Sequence, residues 1–369
     1  MRLELILKKI LPKTVVVWLQ HQKIAAGYVR AFGLASFAQG FRASSPTRVR
    51  IEPASACNLR CVHCPTGWAG DAGDPNRSLM EPPLFERVLS QIKLWPTVKA
   101  ATFYFAGEPL LNRWLPDMLR RIKAETSVVS TQISTNGMLL TEGALSRLEG
   151  TGLDLIHVSI DGDSPEENDK IRRRSNYKKV RENIRRARER LLPQGTDVRI
   201  HNVRIMTEDR VGRPARPAQF LVDDFGPSMV DGIPAIRWPG LRKELVEQQG
   251  LRIIKKRDVG TKTGEGFCTM PFTETVVQAN GNVTVCCYDI TGELKMGSVH
   301  ENTLQEIWNG PAYRKLRKAI VSFGLLEPLP ETCRKCHIYS GEVVVQGERK
   351  QTQALQPLEP VKPEAQAFT

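Results

Sequence analysis

The middle of the chain alternates between two patterns of apolar residues. Short runs rich in β-branched residues are typical of buried strands, and stretches whose apolar residues return every three or four positions are typical of amphipathic helices. The strand-like runs are residues 49–51, 101–105, 128–134, 155–160 and 198–205. The helix-like stretches between them are residues 83–93, 114–123, 142–149 and 178–192. This alternation predicts a parallel sheet with helices outside it, either open or closed into a partial barrel.

The patterns on either side predict four regions, with bounds at 1–43, 44–235, 236–340 and 341–369. Residues 1–43 are apolar and basic, but their longest apolar run, 15–19, is far shorter than the roughly 20 residues that span a bilayer. They predict a helix that contacts a membrane surface or packs on its own domain, and both readings stay open. Pro and Gly interrupt residues 207–250, where a sixth barrel unit leads into a linker. Residues 341–369 predict a disordered tail.

Polar residues follow three of the predicted strands at the point where each strand ends. Gly107 and Glu108 come after the second strand, and Asn136 comes after the third. Ser159 and Asp161 lie at the end of the fourth. Because the carboxyl ends of parallel strands share one edge of a sheet, where such folds place their active sites, these side chains are expected to lie together.

Three cysteines, Cys57, Cys61 and Cys64, follow the first strand. Four thiolates close an iron–sulfur cubane, whereas three leave one iron free to bind another molecule. The loop therefore predicts an open cluster that takes part in chemistry. The alternative is a zinc site that combines Cys61 and Cys64 with the downstream pair Cys333 and Cys336.

Composition narrows the partners and the compartment. The 369 residues have room for about two domains. An excess of 53 Lys and Arg over 40 Asp and Glu gives a formal charge of +13, which favours anionic metabolites, nucleotides or lipids. Nucleic acid is not favoured, because the Arg-rich run 181–190 has the pattern of a solvated helix face. Eight clustered cysteines, without the even spacing of a disulfide framework, fit a reducing cytoplasm.

The cysteine triplet and the strand ends together resemble the radical S-adenosylmethionine enzymes, in the branch with a C-terminal SPASM or twitch domain. The resemblance covers about residues 48–340 and rests on the triplet and on segments 106–109, 134–137 and 158–162. The family's Gly-Gly-Glu is Ala-Gly-Glu here. The fold that the resemblance implies is α/β, a partial (β/α)6 TIM-type barrel with a small C-terminal iron–sulfur domain.

In this family, the open iron of a 4Fe–4S cluster chelates S-adenosylmethionine. An electron from the cluster cleaves a sulfur–carbon bond, and the resulting 5′-deoxyadenosyl radical removes hydrogen from a substrate. A reduced flavodoxin or ferredoxin is the electron donor implied. The residues that the resemblance places around S-adenosylmethionine are Gly107, Glu108, Asn136, Ser159, Arg172 and His63. For His63, stacking on adenine and simple shielding of the cluster both stay open.

The resemblance also implies one auxiliary 4Fe–4S cluster, since the spacing Cys-x12-Gly-x4-Cys followed by Cys-x2-Cys is similar to the family's framework. Its ligands would be Cys268, Cys286, Cys333 and Cys336. A full SPASM framework has further cysteines, but none follows Cys336, so a single cluster of the twitch type is expected. Residues 280–281, Asn-Gly, predict a hairpin before Cys286. Whether the neighbouring Cys287 replaces Cys286 as a ligand stays open.

The function that fits these features is oxidation or rearrangement of a sugar or aminocyclitol, including nucleotide- or lipid-linked forms, with Asp289 as the candidate acid or base. A maturase that modifies a ribosomally made peptide or a protein side chain is the alternative. Residues 1–43 are too short for the winged-helix peptide-binding domain of many such enzymes, so the maturase interpretation is less favoured. A protein whose clusters only transfer electrons conflicts with the open iron.

Overall fold

The structure, a computed structural model, describes residues 40–68, 78–236, 243–247, 250–255, 268–322, 324 and 326–346. The strands are β1 Arg48–Ile51, β2 Arg60–Cys61, β3 Ala100–Phe103, β4 Ser130–Thr135, β5 Leu155–Asp161, β6 Arg172–Arg173, β7 Asp197–Arg204, β8 Val230–Pro234, β9 Leu251–Lys255, β10 Glu274–Val277, β11 Asn282–Thr284, β12 Gly297–Ser298 and β13 Glu342–Gln346.

The helices alternate with these strands in the first part of the chain and cluster in the last part. They are α1 Pro65–Trp68, α2 Pro82–Ile92, α3 Leu115–Glu125, α4 Glu142–Leu148, α5 Pro165–Ile171, α6 Tyr177–Leu191, α7 Gln219–Phe225, α8 Lys243–Glu247, α9 Met270–Thr273, α10 Leu304–Trp308, α11 Pro311–Val321, α12 Glu331–Lys335 and α13 His337–Ser340. None of the helices in the described ranges is both long and apolar enough to cross a bilayer.

One nine-stranded sheet organises the molecule, in the order β12-β11-β10-β1-β3-β4-β5-β7-β8. The six strands from β1 to β8 in this order are all parallel, as the (β/α)6 fold requires. Because β8 and β12 form its two edges among the described strands, the sheet is open. The prediction of an α/β fold with a partial barrel is confirmed.

Local sequence explains where the helices on one face of this sheet begin. The side chains of Thr141, Ser164 and Asn176 accept hydrogen bonds from the first free backbone N–H groups of α4, α5 and α6. Such caps satisfy donors that have no partner inside the helix. The helices α4 and α6 then bury an apolar stripe in the core that covers the sheet.

The core lies between these helices and the outer face of the strands. Alternate strand residues such as Ile133, Ile156 and Val158 are fully buried, and they share one apolar cluster with Val180 and Ile184 of α6. Since side chains alternate across a strand, the residues between them face the opposite side of the sheet, which we call the inner face. The inner face is therefore free for polar groups.

Within residues 207–250, α7 and β8 form the sixth unit, and β8 ends at Pro234. The structure corrects one of the predicted boundaries. The predicted tail begins too early, since β13 pairs with β9 in antiparallel register. Val343–Val345 form a run of apolar β-branched residues, which favours a strand. The polar residues that follow them led the whole segment to be assigned to the tail. Residues 347–369 and 1–39, which carry the tail and membrane-contact predictions, lie outside the described residues.

The C-terminal domain joins the barrel through the sheet itself. β10 pairs in parallel with β1, and β11 returns antiparallel to β10. Gly281 adopts a left-handed φ of 83° in the connecting turn, which confirms the predicted hairpin. The buried Glu52, directly after β1, accepts hydrogen bonds from the backbone N–H groups of Ala106 (3.0 Å) and Ala279 (2.9 Å). One carboxylate thus ties together the ends of β1, β3 and β10.

The stability that Glu52 contributes should fall as the pH rises. Burial raises the pKa of Glu52 from 4.5 to about 7, although the two N–H groups oppose the shift. Because the folded state holds the proton more tightly than the unfolded state, this contribution is complete below pH 4.5 and is lost through pH 7. The loss between these limits is up to about 3 kcal/mol. The measurement is urea unfolding of the parent and of Glu52→Gln at several pH values. The difference between their free energies of unfolding cancels the pH dependence that the two proteins share. A difference that does not change with pH would contradict the prediction.

Candidate active site

The three cysteines of the first loop lie at the carboxyl end of the sheet. Cys61 belongs to β2, which pairs antiparallel with β6 so that Cys61 lies opposite Arg172. The N–H of Cys64 bonds the carbonyl of Cys61 at 3.2 Å, which closes a tight turn between these two thiols. Burial raises the pKa of Cys57 to about 11, and neighbouring Glu108 and Cys64 add to the shift. A thiolate in these surroundings would need a nearby cation, which the iron of a cluster would supply.

The loop after β3 packs directly on this cysteine loop. A Cβ atom on Gly107 would lie 2.2 Å from the carbonyl oxygen of Ala56, so only glycine fits. The next residue, Glu108, donates its backbone N–H to the same carbonyl at 2.8 Å. Two of the predicted site residues therefore meet the cysteine loop through their backbones.

The Glu108 side chain reaches the end of β4. Its carboxylate is 2 % exposed and accepts hydrogen bonds from the Thr135 hydroxyl at 2.7 Å and the Asn136 N–H at 2.8 Å. Burial raises the pKa of Glu108, and these donors oppose the shift. The Asn136 amide in turn donates to the Asn58 side chain at 2.8 Å, beside Cys57. The structure thus brings Glu108 and Asn136 together at the cysteine loop, and their contact with S-adenosylmethionine stays a prediction.

Asp161, at the end of β5, contacts two further predicted site residues, Arg172 and His63. Arg172 is buried and contacts both Asp161 oxygens, with Nη2 to Oδ1 at 3.1 Å and Nε to Oδ2 at 2.9 Å. His63 places Nδ1 at 3.6 Å from Oδ2 of Asp161. Burial lowers the pKa of His63, with the Arg172 charge adding to the shift and Asp161 opposing it. Ser159 lies two residues before Asp161 on the same face of β5.

Four cysteines of the C-terminal domain line a single cavity, together with Tyr288 and Tyr339 among others. They are Cys268, Cys286, Cys333 and Cys336. Burial raises the pKa of Cys268 and of Cys333 to about 12, and nearby thiols add to both shifts. Among the described residues, these four are the thiols that share this space.

Cys287 has different neighbours. Among the described residues, it is not part of the cavity lining. Burial raises the pKa of Cys287, whereas the Arg50 charge lowers it and Glu274 raises it further. Arg50 and Glu274 form a buried ion pair at 3.1 Å between β1 and β10. The Cys287 thiol is thus placed towards the junction of the two domains.

Asp289, the candidate acid or base, is fully buried. Its carboxylate accepts hydrogen bonds from the Thr284 hydroxyl and from the N–H groups of Glu293 (3.0 Å) and Leu294 (2.9 Å). Burial raises the pKa of Asp289 to about 6, and these donors oppose the shift. Such bonds hold the loop after β11, and a role in proton transfer stays a prediction.

The zinc alternative requires four cysteines from two loops to converge. In the structure, Cys61 lies against Arg172, whereas Cys333 and Cys336 line the cavity with Cys268. Among the described residues, Cys61 and Cys64 are not part of that cavity lining, so the structure does not bring the two cysteine pairs together. The zinc alternative is therefore not favoured.

A three-thiol loop lies at the carboxyl edge of a parallel half-barrel, and a four-thiol cavity lies in the domain beside it, an arrangement typical of iron–sulfur proteins. The chain contains a radical SAM superfamily domain, which residues 51–211 match, and a SPASM iron–sulfur cluster-binding domain, which residues 268–337 match. The cofactors of this family are a 4Fe–4S cluster and S-adenosylmethionine, with auxiliary iron–sulfur clusters in the SPASM domain.

Curated relatives match part of their length. The "Tungsten-containing aldehyde ferredoxin oxidoreductase cofactor-modifying protein" of Pyrococcus furiosus is 36% identical over 112 residues, which cover 30% of this chain and 30% of the relative. The GTP 3′,8-cyclase of Aquifex aeolicus is 34% identical over 149 residues, which cover 40% and 45%. The chain thus matches less than half of the length of each relative.

Solved structures show the same fold. Native anSMEcpe with bound AdoMet has a TM-score of 0.53 at 17% identity, over 80% of this chain and 89% of that chain. SuiB of Streptococcus suis bound to S-adenosylmethionine has a TM-score of 0.51 at 15% identity, over 83% and 74%.

The sequence assigned no role to two residues of the site. Asp161 was expected among the strand-end side chains, and the structure shows that it joins Arg172 and His63. Glu52 links the two domains but carries no motif at all. The available signal was the same for both, since each is an acidic residue at the carboxyl end of an apolar strand.

Alanine at Gly107 should destroy the site. The added Cβ atom meets backbone atoms of the cysteine loop, which cannot rotate away, so a loss above about 3 kcal/mol in the free energy of unfolding is expected. The iron content and the affinity for S-adenosylmethionine should fall with it. The matched control is Gly143→Ala in α4, where no atom lies within 4 Å of the new Cβ. Normal iron content in Gly107→Ala would show that the close approach is not needed.

Proposed function

We propose that this radical SAM enzyme removes a hydrogen atom from a small molecule of the sugar or aminocyclitol type, free or linked to a nucleotide or lipid, and oxidises or rearranges it. The observation that carries the proposal is the convergence at one sheet edge of three thiols with two buried polar pairs. These are Cys57, Cys61 and Cys64, with Glu108 bonded to Asn136 and Arg172 bonded to Asp161.

The residues present fit the open cluster. The three half-buried thiols lie on one short loop, and Arg172 places one positive charge next to Cys61. Iron would supply the further positive charge that three thiolates need. When bound, the cluster and S-adenosylmethionine supply a one-electron cleavage that gives a 5′-deoxyadenosyl radical able to take a hydrogen atom from the substrate. The chain's task is to hold these groups still and to keep water away.

Buried polar side chains supply the positioning. Glu108, held by Thr135 and Asn136, fixes the loop after β3 against the cysteine loop. Arg172 is fixed by two contacts to Asp161, so its guanidinium stays oriented beside the cysteines. A guanidinium held in this way is suited to a carboxylate ligand, and Glu108 is suited to an ammonium group. In this proposal, they bind the two ends of the methionine part of S-adenosylmethionine.

The four cavity cysteines fit a closed auxiliary cluster. Their number completes the ligand set of a cubane, and the buried surroundings exclude water from it. In this proposal, the auxiliary cluster lies in the C-terminal domain. This domain joins the barrel where β10 pairs with β1 and where Arg50 and Glu274 form an ion pair. It accepts an electron from the substrate or helps to position it.

The test is anaerobic reconstitution with iron and sulfide, reduction, and measurement of 5′-deoxyadenosine and methionine by mass spectrometry. We expect both products in equal amounts, and none without the reductant. Absence of both from a protein loaded with iron would refute the function. A second arm adds candidate substrates, and faster cleavage with a hydroxyl-bearing ring than with a short peptide would support the proposed substrate class.

A further inference from the structure

The inner face of the sheet carries a line of polar side chains, and apart from Ser159 the site described above does not use them. The strands β4, β5, β7 and β8 each contribute to it, since their alternate residues are taken up by the core. The polar residues are Gln132, Ser134, His157, Ser159, Arg199, His201 and Asp231, all of them half-buried.

Two imidazole rings lie at the centre of this face. The ring centroids of His157 and His201 are 3.6 Å apart, with an angle of 31° between the planes. His201 lies beside Ser159 in the strand register, so the pair stands directly below the end of β5. Asp161 is four residues beyond His157 on the same strand and face, or about 13 Å along it.

Hydrogen bonding fixes one ring of the pair and leaves other ring nitrogens available. The side-chain nitrogen of Gln132 lies 2.6 Å from Nδ1 of His157. When the Gln132 amide donates this bond, Nε2 of His157 carries the proton and is a donor. Among the described residues, none hydrogen-bonds to Nε2 of His157 or to either ring nitrogen of His201.

The pair is uncharged at neutral pH. Burial lowers the pKa of His157 to about 4, and the neighbouring His201 adds to the shift. Burial also lowers the pKa of His201, with Arg199 adding to the shift and Asp231 opposing it. Two cationic rings at this separation would repel each other, so at most one is protonated.

The nearby charges cancel. Arg199 bonds Asp231 through both Nε (3.2 Å) and Nη2 (3.1 Å), so these two opposite charges balance each other beside the imidazoles. What remains around the imidazoles is a set of neutral groups that both donate and accept. Hydroxyl groups have the same double capacity.

We propose that His157 and His201 form the substrate-binding floor of the half-barrel, and that they bind an uncharged, hydroxyl-rich part of a small molecule. The inference rests on the proposed function, because a ligand in this place lies between the floor and the open cluster site. The inference also restricts how the substrate is oriented, because any phosphate, nucleotide or lipid portion of the substrate would lie away from the imidazole pair. Gln132 is a positioning residue in this site, because it sets the orientation of the His157 ring.

The experiment is calorimetric titration of the anaerobic holoenzyme, with S-adenosylmethionine present. The probes are myo-inositol, methyl glucoside and UDP-glucose at up to about 10 mM, which is above the usual KM range. A serine-containing tripeptide is the probe of the other class. His157→Phe and His201→Phe keep a ring but remove its nitrogens, and His201→Asn restores hydrogen-bonding groups. His300→Gln is the control, since His300 bonds Asn280 in the hairpin turn instead.

We expect at least one polyol to bind, and each Phe variant to lose about tenfold or more in affinity, as expected for lost hydrogen bonds. His201→Asn should recover part of the loss, with S-adenosylmethionine affinity unchanged in all variants. Binding of no polyol, or binding of the peptide alone, overturns the proposed ligand class. Equal polyol affinity in parent and Phe variants overturns the site. Formation of 5′-deoxyadenosine is scored separately, so failure of the proposed function is recognised on its own.

Discussion

Reduced enzyme with Cys61→Ala should form no 5′-deoxyadenosine above background. Cys61 is held in β2 opposite Arg172, so its thiol cannot be replaced by a neighbour that moves into its place. Loss of groups that only support metal ligands already costs about 10–100-fold in metal affinity or activity, and loss of a ligand exceeds this. The measurement is 5′-deoxyadenosine per iron in parent and variant, after identical anaerobic reconstitution.

The iron count separates this effect from general unfolding. The parent should bind about eight iron atoms, as two cubanes, and Cys61→Ala should keep about four in the auxiliary site. Thr66→Ala in the short helix α1 is a matched control, because it changes the same loop without removing a thiol. Product formation by Cys61→Ala at more than a tenth of the parent rate would contradict the assignment of this thiol.

The double variant Cys268→Ala/Cys286→Ala should lose about half of the iron, from about eight to about four atoms per chain. Both thiols line the same cavity, so their removal leaves two ligands for a cluster that needs four. Cleavage of S-adenosylmethionine without substrate should survive, because the open cluster is built by the other domain. Turnover of substrate should be lost. The measurements are iron content and 5′-deoxyadenosine from the same preparation.

Cys287→Ala is the natural control for this second experiment. It removes the adjacent thiol, which lies near Arg50 and Glu274. We expect full iron content from Cys287→Ala and about four atoms from Cys286→Ala alone. The reverse result would make Cys287 the ligand, and a parent with only about four atoms would remove the auxiliary cluster altogether.

Elements with a strong local pattern were predicted closely from the sequence. The stretch 142–149 became α4, Glu142–Leu148, and the run 155–160 became β5, Leu155–Asp161. In both cases the periodicity of buried residues and a nearby turn signal agree, so local and tertiary preferences coincide. The placement of Glu108 and Asn136 at the cysteine loop followed from one rule, that parallel strands end at a common edge.

Features that depend on contacts between distant parts of the chain were not predicted. Nothing in the short apolar run of β10 indicates that it pairs with β1, more than 200 residues earlier. The ring contact between His157 and His201 depends on the register of β5 against β7, which the hydrophobic pattern restricts but does not give. The strand β13 was missed because its three valines, Val343–Val345, are outweighed by a polar neighbourhood.

The pairing of β10 with β1 also determines when during synthesis the sheet can be completed on this side of β1. During synthesis, β1 leaves the ribosome long before β10, so one side of β1 stays an unpaired strand edge until residues 274–277 follow. Such an edge invites pairing with other chains. A nascent chain stalled before residue 274 should therefore depend on chaperones. In the finished chain, β10 covers this edge of β1.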